Sequence, residues 1–114
     1  MIKAIFSGNT VTVNYFREDD PVGYFKTSTA SADLLDNDVW YINRVYVQKE
    51  DRRKHVGTDL VKRMQEEIKA RNPKAILIVT PGGYDTPPQV QIAFYRSMGF
   101  VKGMHGNVQC LVLK

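Results

Sequence analysis

Residues 75–80, Ala-Ile-Leu-Ile-Val-Thr, are an unbroken apolar run. A strand that is apolar at successive positions has to be covered on both faces, so this segment needs packed elements on either side of it. A helical pattern stands directly before it. From Thr58 to Arg71, Leu60, Val61, Met64 and Ile68 fall on one face, and Lys62, Arg63, Glu66, Glu67 and Lys69 lie mostly on the other. Asn72-Pro73 stops that helix. Before it, "VWYINRVYV" (39–47) is rich in β-branched and aromatic residues and reads as a strand. A strand–helix–strand order of this kind predicts an α/β fold with a right-handed crossover.

The flanks complete a mixed sheet. "IKAIFSGNTVTVNYF" reads as two short strands around the turn Ser7-Gly8-Asn9, and "VGYFKTSTA" (22–30) as a third. "SADLLDND" (31–38) reads as a polar connection with room for a turn of helix. After 75–80, "PGGYD" breaks the chain. Thr86 is placed to cap a second helix with Pro87 at its first position, where a missing N–H costs nothing. That helix is expected to run to about Met98 and close at Gly99. Phe100-Val101 and "NVQCLVLK" (107–114) supply one or two last strands. The 114 residues suit one domain over 1–114, and no internal repeat or boundary is visible.

The loop "RRKHVGT" (52–58) sits between the 39–47 strand and the helix. A helix start carries unpaired N–H groups and the positive end of the helix dipole. Gly57 lets a ligand approach the backbone, and Arg52, Arg53 and Lys54 add charge-assisted donors. This pattern suits phosphate, and a diphosphate would use it most fully. A basic loop that is merely solvated surface has the same composition. The Gly-Lys-Ser/Thr of a nucleotide P-loop and the glycines of a dinucleotide fingerprint are both missing. Sixteen basic and 12 acidic residues leave +4, which permits an anionic ligand without demanding nucleic acid. Cys110 is the sole cysteine, so an internal disulfide is excluded. With no signal peptide pattern and no bilayer-length apolar stretch, a cytoplasmic protein is expected. No metal-ligand spacing occurs.

"VYVQKEDRRKHVGTDLV", followed by "AFYRSMGF", resembles the GNAT superfamily of N-acetyltransferases across roughly residues 39–101. The family's diphosphate loop, Gln/Arg-x-x-Gly-x-Gly/Ala, reads here as Arg52-Arg53-Lys54-His55-Val56-Gly57, with His55 in place of the first glycine. Phe94-Tyr95-Arg96-Ser97-Met98-Gly99-Phe100 matches the aromatic–Tyr–x–x–x–Gly–Phe helix end. An asparagine that often precedes that tyrosine is absent; Pro88 stands about there.

The resemblance implies a V-shaped splay between two central strands that takes acetyl-CoA (coenzyme A) as acyl donor. Val45, Tyr46 and Val47 would face the pantetheine arm, and the amides of 53–58 (Arg53, Lys54, His55, Val56, Gly57, Thr58) the diphosphate. The Val47 N–H is a candidate oxyanion donor, and Tyr95 matches the family's general acid. The glutamate that many relatives carry around position 41 is Tyr41 here. Tyr41 and Asn43 are expected at the substrate. Asp38 and Asp85 are candidate bases by proximity alone, and their simpler role is in turns. His105 is expected on a surface turn and Cys110 in the core. The implied activity is direct acetyl transfer to a primary amine, borne by a small molecule or a peptide. By the resemblance, the segment that usually covers the acceptor side is expected to be missing in this chain, which leaves an open acceptor side or a homodimer in which a second copy supplies the lid. Membrane and nucleic-acid partners are not expected. Two other readings fit the residues: a CoA-binding module of this fold acting through protein contacts with little catalysis, and a small basic polyanion binder.

Overall fold

Period-two alternation builds the first half of the molecule. In the computed structural model, which describes residues 1–17, 26–52, 54–82 and 87–114, strands β1 (Ile2–Ser7), β2 (Thr10–Phe16), β3 (Lys26–Asp36) and β4 (Val39–Tyr46) follow one another as antiparallel neighbours. Val11 and Val13 of β2, Ala30 and Ala32 of β3, and Trp40 and Ile42 of β4 are buried on one face. Helix α1 (Val56–Arg71) lies across that face and buries Leu60, Val61, Met64 and Ile68 against it. Burial of each such side chain stabilises the fold by about 1.5–3 kcal/mol. The other face carries Thr10, Thr12, Ser31, Asp33, Tyr41 and Asn43.

Strand β5 (Ile76–Val79) returns parallel to β4, and β7 (Val108–Leu113) and β6 (Val101–His105) extend the sheet beyond it. The seven-stranded order is β1-β2-β3-β4-β5-β7-β6. Helix α2 (Pro88–Ser97) links β5 to β6. It closes at Gly99, whose φ of 99° places it where glycine is favoured. The two final strands are thus both present.

Two irregularities position the site. First, β4 pairs with β5 only through Val39, Trp40 and Tyr41. Past Tyr41, β4 continues to Tyr46 against β3 alone, and β5 pairs onward with β7 through Val79. The sheet opens there into a V. Second, the β3–β4 register passes from Ser31 opposite Arg44 to Ala32 opposite Ile42, which leaves Asn43 as an extra residue on β4. This bulge shifts the alternation, so Asn43 and Arg44 are both exposed while Val45 returns to the core side.

Several expectations need correction. Residues 31–36 are strand, not a polar connection, and only Asn37-Asp38 turn. Ala32 and Leu34 point to the core and Ser31 and Asp33 away from it, and pairing on both sides holds the segment extended. Helix α1 begins at Val56 rather than Thr58. Helix α2 has Pro88, not Pro87, at its first position. The reason is local: a residue preceding proline is pushed out of the helical region, and Pro87 sits extended at ψ 144°. His105 ends β6, half-buried, instead of lying in the turn. Residues 22–25 of the third predicted strand, Arg53, Asp85 and the proposed cap Thr86 lie outside the described residues.

Candidate active site

The V between β4 and β5 is the mouth of a cleft of about 940 Å³, a volume that suits a small-molecule ligand. Tyr41 and Thr80 meet at its narrow end, where their hydroxyl oxygens are 2.9 Å apart and hydrogen-bonded. Beyond them, β4 from Ile42 to Tyr46 and the following Val47 form one wall. Val45, Tyr46 and Val47, the residues expected at the pantetheine arm, are part of that wall. Tyr41 and Asn43 line the same space. Val79 to Gly82 and the α2 residues Val90, Gln91, Phe94 and Tyr95 complete it.

The far end of the cleft is the start of α1. A 3-10 turn, Lys49–Asp51, leads into it. The first backbone bond of α1 runs from the Asp59 N–H to the His55 carbonyl at 3.0 Å. The N–H groups of Val56, Gly57 and Thr58 thus have no partner within the helix. His55 is the left-handed residue of the loop, with φ 61° and ψ 21°. A non-glycine residue thus takes the conformation that glycine ordinarily supplies at this position. Gly57 is buried, and a Cβ there would stand 3.2 Å from Val47 Cγ2 and 3.6 Å from the Phe94 ring. A side chain there would have to shift Val47 slightly, and the backbone angle is one that any residue adopts.

Arg52, His55, Val56, Gly57 and Thr58 line the cleft, but Lys54 does not. The Lys54 N–H points back to the Asp51 carbonyl at 3.4 Å, whereas those of Val56, Gly57 and Thr58 have no backbone partner among the described residues. The Arg52 Nε donates to the Val47 carbonyl at 3.2 Å, which holds the side chain over the strand end.

Tyr95 is 5% exposed and lines the cleft. Its ring meets Phe94 and Phe100 edge-on, at centroid separations of 5.0 and 5.2 Å. Burial, and secondarily the neighbouring Tyr41 phenol, push its pKa up to about 12. It is therefore protonated throughout the neutral range.

Asp38 is not at the cleft. Its carboxylate accepts from Asn72 Nδ2 at 2.6 Å and ties the start of β4 to the end of α1. Cys110 is buried on β7, and burial raises its thiol pKa. Among the described residues, no group of three or more His, Cys, Asp or Glu side chains could hold a metal, and no helix is long and apolar enough to cross a membrane.

Three polar residues at or beside the site carry no motif. Asp51 is fully buried in the loop. Its carboxylate accepts from Ser28 Oγ at 2.8 Å and from Arg17 Nε at 3.3 Å. Asp33 stands opposite Tyr41 on β3. The alternation of Ala30, Ala32 and Leu34 was a signal that Asp33 faces away from the core; nothing local marks Asp51 or Ser28.

A sequence profile of the acetyltransferase (GNAT) domain matches residues 9–102. The chain belongs to the GNAT acetyltransferase family. Members of this family take their acyl group from acetyl-CoA. No curated protein sequence matches significantly. Among solved structures, a GNAT acetyltransferase of Staphylococcus aureus Mu50 superposes with a TM-score of 0.71 at 17% identity, over 91% of this chain and 66% of that one. The PaiA N-acetyltransferase of Thermoplasma acidophilum, in complex with coenzyme A, gives 0.72 at 14% identity, over 93% and 61%. The ribosomal-protein-S18-alanine N-acetyltransferase of Escherichia coli gives 0.67 at 14% identity, over 94% and 68%. The chain thus spans roughly two thirds of the length of these structures, and at such identities the likeness is one of GNAT fold.

Proposed function

We propose that this protein transfers an acetyl group directly from acetyl-CoA to a primary amine, with the Tyr95 hydroxyl as the hydrogen-bond donor to the departing sulfur. The observation that carries the reading is one cleft that has at one end α1 amides with no backbone partner among the described residues, and on its wall a protonated, buried phenol. The residues fit the acyl donor. The β4 edge from Ile42 to Tyr46 has no partner on the β5 side among the described residues and offers backbone groups to an amide-bearing arm. The amides of Val56, Gly57 and Thr58 suit a diphosphate, with Arg52 beside them. The donor supplies a thioester carbonyl and a thiolate leaving group.

An ordinary thiol titrates near 8.5, so Tyr95 at about 12 is the weaker acid. Its contribution is a hydrogen bond that strengthens as charge develops on the sulfur, an interaction favouring the transition state over the bound substrate. The Val47 N–H, one residue past β4, is the candidate donor to the carbonyl oxygen.

Tyr95→Phe keeps the ring packing and removes the donor. Acetyl-CoA affinity by calorimetry should be unchanged and turnover of a reactive amine at least about tenfold lower. Wild type and variant should share the shape of their pH–rate profiles up to about pH 10, because Tyr95 does not titrate there. Full activity in the variant would remove Tyr95 from the chemistry. One observation favours a second reading, a weakly catalytic CoA binder. Position 41 holds no carboxylate, and its phenol is engaged with Thr80. Acetyl-CoA binding without turnover of any amine would select it.

A further inference from the structure

The face of the sheet opposite α1 carries one feature that the acyl-transfer reading does not use. Asp33 stands beside Tyr41 in the β3–β4 register, next to the narrow end of the cleft. Thr10 Oγ1 donates to its Oδ1 at 2.6 Å. Asn43, the bulge residue that lines the cleft, donates through Nδ2 to its Oδ2 and accepts from Ser31 Oγ. The carboxylate is thus held by two neutral donors. Among the described residues, the ion pairs are Arg17 with Glu50 and Asp51, and Arg63 with Glu67. None neutralises Asp33. The nearest cation on this face by register is Arg44, opposite Ser31, and its guanidinium lies over the Tyr46 ring, 5.6 Å from the centroid. That ring is further along β4, away from Tyr41. Asp33 is not itself part of the cleft lining, but its half-buried negative charge stands directly behind two residues that are, Tyr41 by register and Asn43 by hydrogen bond, at the end of the cleft remote from the α1 amides.

Resting on the acetyl-transfer reading, we propose that Asp33 anchors a second cationic group of the acceptor, so that the substrate is an amine carrying another positive charge. The chemistry separates two roles for this carboxylate. An amine held directly by an unneutralised carboxylate is stabilised as ammonium and cannot attack. Asp33 also lies one strand over from β4, a spacing of about 4.8 Å. Its partner is then a charged nitrogen a few bonds away from the reacting one. Asn43 fixes the carboxylate and presents its own side chain to the same space.

The test compares putrescine with butylamine, which has the same carbon chain and lacks the second nitrogen. Wild type should acetylate putrescine with the lower KM. Asp33→Asn should raise the putrescine KM at least about tenfold, the loss of one charged hydrogen bond, and leave kinetics with butylamine unchanged. The variant can keep its fold, because its amide can still accept from Thr10 and a flipped Asn43 can accept from it. Asp33→Glu retains the charge and should recover part of the putrescine preference, which a merely structural role would not produce.

An equal fall in kcat for both amines would make Asp33 a proton acceptor and overturn the anchor. No preference in wild type, or no acetylation of either amine by protein that binds acetyl-CoA, would also overturn it. Wild type that fails to bind acetyl-CoA by calorimetry would instead sink the acetyl-transfer reading itself. Should Asp33→Asn lose acetyl-CoA binding, Asp33→Glu decides alone, and a putrescine preference no better than that for butylamine counts against the anchor.

Discussion

His55 is the one non-glycine residue with positive φ among those described. A left-handed conformation costs an L-residue roughly 1–2 kcal/mol, and the imidazole makes no capping bond that would offset it. Glycine removes that strain but loses more backbone freedom on folding, worth about 0.5–1 kcal/mol. The balance favours glycine slightly. His55→Gly should therefore raise stability by about 0.5–1 kcal/mol, read as a higher urea midpoint at unchanged m-value. The α1 amides should keep their geometry, so acetyl-CoA affinity should not fall. A lower midpoint would show that the imidazole contributes a contact that outweighs its strained backbone.

At the level of elements, the segment between β4 and α1 is tied down by a buried cluster. Asp51 accepts from Ser28 of β3 and from Arg17 just past β2, and the Ser28 hydroxyl in turn accepts the Gln48 N–H at 3.0 Å. One carboxylate thus joins two strands to the loop that aims the α1 amides. Asp51→Ala leaves a buried hydroxyl and a guanidinium without that acceptor, at a cost of about 1–3 kcal/mol. It should also weaken acetyl-CoA binding. Asp51→Asn keeps an acceptor for Ser28 and should retain most of the stability. Chemical denaturation and calorimetry of the two variants separate these effects, and equal behaviour of Ala and Asn would argue against the cluster.

This cluster also marks the limit of what the chain shows in one dimension. Helix α1, β4, β5 and the β1–β2 hairpin were legible because their periodicity and turn residues are local. The loop, the splay and Tyr95 were legible through the resemblance. Residues 31–36 were misread because their polar members face away from α1 while pairing on both sides fixes their conformation. The Asn43 bulge has no local signal. Asp51, Ser28 and Asp33 act through partners at least ten residues away in sequence, which spacing cannot reveal.

On the scale of the whole molecule, the sheet is two halves joined along three β4–β5 register pairs and by the crossover through α1. The β1–β4 half carries one wall of the cleft, and the half made of β5, β7 and β6, with α2, carries the other. A ligand filling the V touches both halves, so its binding should be felt by the cooperative unit as a whole. A ligand that binds only the native state stabilises by mass action, about 2.7 kcal/mol at a hundredfold excess over Kd. For a chain of 114 residues this corresponds to a rise in Tm of roughly 10 °C. Saturating acetyl-CoA should produce that shift and slow hydrogen exchange in two places: the amides of Val56, Gly57 and Thr58, and the free β4 edge from Ile42 to Tyr46. Gly57→Glu, which places a carboxylate where an anion would sit, should remove both effects while the free protein still melts cooperatively. An anion held by the loop alone would protect the α1 amides and leave the β4 edge exchanging as before. An unshifted Tm at saturating acetyl-CoA would reject the cleft as its binding site.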